Sequence, residues 1–128
     1  MSAKSNYLEN KVLDHVLGTA AYTSPSAYLS LYTSDPGEGD TGTELSGSGY
    51  ARQAVSFNAA SSGSATGPTV AKEFTASGGS WGTVTHFGVH DASSAGNLLY
   101  YGALTASKTI ADGDTLRFAA DSITVTEA

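Results

Sequence analysis

A chain of 128 residues with 14% charged side chains and a formal net charge of -6 has room for one core and little basic surface. Its six Lys and Arg are too scattered to form the clustered cations that phosphates require, so nucleic acid is not an expected partner. The lack of cysteine excludes disulfides and thiolate metal sites, and no apolar run is long enough to span a membrane.

The first predicted element is a helix over residues 6–17. Asn6 followed by Glu9 has the form of a capping arrangement, Leu8, Val12, His15 and Val16 share one face, and Gly18 supplies a stop. A helix this short is marginal alone, so its Leu8, Val12 and Val16 stripe must lie on the sheet or on a neighbouring subunit. From Ala27 to Thr33 the residues alternate, with Leu29 and Leu31 on the inward face and Tyr28, Ser30 and Tyr32 on the other. A long loop rich in Gly and acidic residues follows, and Tyr50 to Phe57 reads as the next strand, with Ala51, Val55 and Phe57 on one face and Arg52 on the other. Residues 58–68 read as a flexible loop. Val70, Lys72 and Phe74 form a weak strand that Lys72 marks as an edge.

The strongest pattern is a hairpin between Trp81 and Leu104. Thr83, Thr85, Phe87 and Val89 alternate with Val84, His86, Gly88 and His90, a Ser-, Gly- and Asn-bearing loop reverses the chain, and Leu98 to Leu104 returns. Thr109 and Ile110 open a short strand before an Asp112-Gly113 turn, and Leu116 to Phe118 and Ile123 to Thr126 complete the set. Seven to eight short strands and one helix predict a mainly β fold. A single domain over 1–128 is expected, with the helix followed by a jelly-roll-like β-sandwich over 27–126.

A search for chemistry finds letters without context. Gly78-Gly79-Ser80-Trp81-Gly82 spells a nucleophile elbow, but a strand-like segment follows where the motif requires a helix. Gly37 to Gly42 spells G-x-G-x-x-G with two acidic residues that would repel a phosphate. Asp35, Glu38, Asp40 and Glu44 include hard oxygen ligands suited to Ca²⁺, yet their order is not that of an EF-hand and solvation is the ordinary reading. His86 and His90 share a strand face but stand roughly 13 Å apart, too far for one ion. No cofactor, metal or catalytic residue is assigned, and a non-enzymatic binding or assembly protein is expected.

The stretches at residues 5–25 (SNYLENKVLDHVLGTAAYTSP), 31–36 (LYTSDP), 49–57 (GYARQAVSF), 81–92 (WGTVTHFGVHDA) and 97–104 (NLLYYGAL) carry a resemblance. They resemble a family of small virion proteins of tailed bacteriophages, loosely described as tail-fibre-like, and the similarity runs from Ser5 to Thr126. Lys72 and Glu73 depart from a segment that is usually more apolar. The resemblance implies a virion structural protein assembled in the host cytoplasm, and the first 12 residues hold no apolar signal core. A compact chain without shaft repeats fits an oligomeric capsid decoration or cement protein on the outside of the head, bound to its own copies and to major capsid or other virion proteins. The alternative is a tail-fibre or tail/neck-associated protein, of which one form is a carbohydrate-binding adhesin that stacks host glycan on Trp81. Neither nucleic acid nor membrane is an expected partner. Tyr7, Tyr22, Tyr28, Tyr32, Trp81 and Tyr100 are the candidate protein-interface residues, because Tyr and Trp combine large apolar area with a polar tip.

Overall fold

The computed structural model describes residues 2–126. In chain order its elements are β1 (Ser2–Lys4), α1 (Asn6–Val16), β2 (Ala27–Tyr32), β3 (Gln53–Val55), β4 (Ser64–Gly67), β5 (Lys72–Thr75), β6 (Gly82–His90), β7 (Leu98–Ile110), β8 (Thr115–Phe118) and β9 (Ile123–Thr126). Strands β1-β7-β6-β2-β3 form an antiparallel five-stranded sheet, while β4-β9 and β5-β8 form two-stranded ribbons. The fold is mainly β and sandwich-like. The sheet contributes Leu29, Leu31, Val55 and Phe87 to the core, and the ribbons contribute Phe74, Leu116, Phe118 and Ile123.

Aromatic rings join the two layers. Phe87 of the sheet meets Phe118 at 6.4 Å between centroids, Phe118 meets Phe74 at 6.0 Å, and Tyr50 contacts both Phe74 and Trp81. Three of these four contacts are oblique or edge-on, with interplanar angles of 73° to 89°, the geometry favoured by ring quadrupoles. Trp81 is 6% exposed, and its indole N–H donates to the Ser48 carbonyl at 3.0 Å.

The structure revises several boundaries. The helix cap is Ser5, whose Oγ accepts the Leu8 N–H at 3.2 Å, and Leu17 closes the other end. Strand β3 is shorter than the stretch from Tyr50 to Phe57. Thr109 and Ile110 belong to β7, and Val70 lies outside β5 with 66% of its surface exposed. Neither β1 nor β4 was legible, since SAK and SATG carry no apolar alternation and are strands through what they pair with. In β6 a register shift between Val84 and His86 breaks the simple alternation. Val84 therefore joins Phe87 in the core, away from His86, as expected when a bulge reassigns the faces of a strand.

The other face of the sheet is also covered. Strand pairing sets Tyr28 opposite His90, Ser30 opposite Gly88 and Tyr32 opposite His86. Over this face lie the start of α1 and the loop of residues 33–44. The Ser5 N–H donates to the Leu99 carbonyl, the Asn6 N–H to the Glu38 carbonyl, and Pro36 is buried.

Candidate functional site

The principal cluster of chemically capable side chains lies on this second face. His90 is 1% exposed and sits between two partners, Ser30 Oγ at 2.9 Å from Nδ1 and the Tyr32 hydroxyl at 3.2 Å from Nε2. The Tyr32 hydroxyl donates to Asp40 Oδ1 at 2.7 Å. With that proton committed to Asp40, the tyrosine oxygen accepts from Nε2–H, and Nδ1 accepts from the Ser30 hydroxyl. This arrangement selects neutral imidazole in one tautomer. Burial, and then the Arg52 charge, push the His90 pKa below its ordinary value. Burial first, then the bond to Asp40, push the Tyr32 hydroxyl well above its ordinary value.

A second cluster sits at the edge of β2. Arg52 grips Glu44 with two parallel bonds, Nη2 to Oε1 at 2.7 Å and Nε to Oε2 at 2.8 Å, and Tyr50 donates to Oε2 at 2.7 Å. Burial works against the Glu44 charge, but the bonds from Arg52 and Tyr50 outweigh it and hold the carboxyl below its usual range. The Arg52 guanidinium also reaches the carbonyls of Ala92 and Ala95. The Tyr50 oxygen accepts the Leu31 N–H at 3.1 Å, beyond the point where β3 stops pairing with β2. The two clusters thus fasten the loops of residues 33–44 and 91–97 to the sheet. Ser30 and His90 have the spacing of a nucleophile and its base, but both lie beneath the surface and their polar atoms are spent on this network.

The six aromatic interface candidates divide by depth. Tyr32 is 1% exposed within the polar cluster and Trp81 lies in the core, so neither offers a ring to a partner or a glycan. The other four are half-buried. Tyr7 carries Lys11 Nζ 5.5 Å above its ring, Tyr28 lines a surface groove with Phe57 and Lys72, and Tyr100 stands opposite Val89. Tyr22 donates its backbone N–H to His15 Nδ1 at 3.0 Å, while its hydroxyl is buried without a hydrogen-bond partner among the described residues. The stripe expected to lie on the sheet or on a neighbouring subunit divides: Leu8 is buried within the chain, whereas Val16 is 70% exposed, and Leu13 and Leu17, which lie outside that stripe, are 56% and 72% exposed beside it.

His86 is half-buried, with Nδ1 2.7 Å from Thr85 Oγ1, and does not join the His90 cluster. Among the described residues no three His, Cys, Asp or Glu side chains converge as metal ligands, and no helix is long and apolar enough to cross a membrane.

The chain is thus a small β-rich scaffold whose loops are pinned by buried polar clusters, with an apolar helix end left open. The chain belongs to the family described as podophage GP4 fiber I protein gp80, which matches it over residues 3–126. It is thus a member of a phage virion protein family. No curated protein matches it.

Proposed function

We propose that the chain is a non-enzymatic subunit of a virion fibre that works by holding other polypeptides. The observation that carries this reading is the match to a fibre protein family along nearly all of the chain. The surface supports it. Three of the four large apolar side chains left exposed among the described residues are grouped at one helix end, the kind of patch that marks a contact site. Tyr22, half-buried, donates its backbone N–H to His15 in the last helical turn beside this patch and is a further contact candidate, as is half-buried Tyr7 in the first turn.

Imaging of intact particles with a labelled antibody tests the location. Label on the tail fibres is expected; label spread over the head shell would sink the fibre reading and return a decoration or cement role. The contact role is tested separately with Leu13→Ser/Leu17→Ser. This variant is expected to keep the native thermal transition and to be depleted from purified particles, whereas normal incorporation would show that the helix end is not an assembly surface.

A further inference from the structure

Two apolar surfaces belong to opposite faces of the five-stranded sheet. One is the end of α1, where Leu13, Val16 and Leu17 are exposed. The helix is fastened at its start, through Ser5 and Asn6, over the face that holds His90. The other is a groove of about 440 Å³ on the core side. Strand register sets Ala103 and Lys108 of β7 opposite His86 and Val84 of β6, so residues 104–107 loop out of the ladder as a bulge. That bulge forms one wall of the groove, and β8 with the β8–β9 corner forms the other.

The two surfaces are complementary in polarity and charge. Buried Phe87, Leu116, Phe118 and Ile123 line the groove, and its only charged lining residues are Lys108 and Arg117, both exposed. Arg117 has an ion pair with Glu73 at 3.5 Å, but both side chains are more than half exposed, so water screens the pair and a new anion competes readily. The end of α1 carries the opposite sign. The carbonyl end of a helix bears a partial negative charge, and exposed Asp14 adds a full one. Lys11 is directed back toward the first turn, with Nζ over the Tyr7 ring. Like surfaces would repel: two helix ends would bring carboxylates together, and two grooves would bring cations together.

We propose that the end of α1 docks into the groove of a second copy of the chain. In this head-to-tail contact Leu13, Val16 and Leu17 cover the apolar lining, while Lys108 and Arg117 meet Asp14 and the helix carbonyls. Because the sheet separates the two surfaces within one molecule, each copy gives its helix end to one neighbour and its groove to another, so the contact propagates. Each contact is small and weak, and repetition along an assembly supplies the strength. The proposal rests on the reading of the helix end as an assembly surface and names what that end meets. Incorporation into particles reads whether the helix end is used at all, and association of the pure chain reads whether a second copy receives it, so either can fail alone.

Sedimentation of the native full chain over a range of concentrations is the test. Species larger than a dimer are expected. Leu13→Ser/Leu17→Ser and Lys108→Glu/Arg117→Glu should each weaken association about tenfold or more while keeping the native thermal transition. Mixing the two variants is the sharper measurement. The first keeps an intact groove and the second an intact helix end, so together they should form a one-to-one pair and go no further. A native chain that stays monomeric at about 1 mM, or that stops at a dimer, would overturn the proposal, and that measurement needs no variant. Association that neither variant weakens, or variants that fail to pair when mixed, would also overturn it.

Discussion

Gly88 shows how little slack the second face has. A Cβ built there would stand 2.7 Å from Ser30 Oγ, 2.9 Å from Leu98 Cδ1 and 3.0 Å from Tyr32 Cε1, all within the polar cluster or its wall. Gly88→Ala is expected to cost about 1–3 kcal/mol in urea unfolding, the usual range for overpacking a filled interior. The neighbouring His90 has a native pKa depressed below its ordinary 6.5, so the unfolded chain binds the extra proton first. Stability is therefore full above about pH 6.5 and falls as acid is added. Glu44, also depressed, adds a second loss below its ordinary 4.5. Tyr32 and Tyr50 act at the other end, because their raised values let the unfolded chain ionise first above pH 10, and stability falls again there. The expected profile of unfolding free energy is a plateau with two acid steps and one alkaline decline. His90→Gln should remove the upper acid step and leave the lower one; a step that persists would assign it elsewhere. Tyr22→Phe is a contrasting case. It deletes a buried hydroxyl that has no partner among the described residues, so stability should hold or rise, and a loss above about 1 kcal/mol would reveal an unseen bond.

Helix α1 is held at one end and open at the other. Ser5 does two jobs, since its Oγ accepts the Leu8 N–H and donates to the Leu98 carbonyl, which caps the helix and ties it to β7. Ser5→Ala is expected to lower stability by about 1–2 kcal/mol and to speed amide exchange in the first helical turn before it affects β6 or β2. The loop of residues 33–44 is held differently. Its Glu44 meets Arg52, whose side chain is 8% exposed against 25% for Glu44. Removing the cation leaves a half-buried carboxylate with only Tyr50, so Arg52→Met should cost about 2–3 kcal/mol, somewhat below the range for a fully buried pair. Because Arg52 also holds the carbonyls of Ala92 and Ala95, exchange should rise in both loops together. Loosening of one loop alone would show that the guanidinium does not couple them.

At the scale of the molecule, a five-stranded sheet is covered on both faces, by the ribbons on one and by α1 with its adjoining loop on the other. Composition, turn signals and period-2 patterns made the mainly β class legible, along with the helix, the β6–β7 hairpin and the leucine face of β2, because each rests on residues near one another in sequence. The same alternation placed Tyr28, Ser30 and Tyr32 on the face opposite Leu29 and Leu31. What that face meets was not legible, because the 33–44 loop is irregular and its anchors, Asp40 with Tyr32 and Glu44 with Arg52, are specified by folding rather than by period. The sequence by itself therefore determined the strand-forming segments, the acidic balance and the candidate aromatics. Only the tertiary structure decided that His90, Tyr32 and Trp81 are interior, that Val84 faces the core, that residues 104–107 bulge out of the β6–β7 ladder, and that Leu13, Val16 and Leu17 remain outside. The reason is physical: periodicity fixes which side chains share a face, while burial of that face depends on what packs against it from distant parts of the chain.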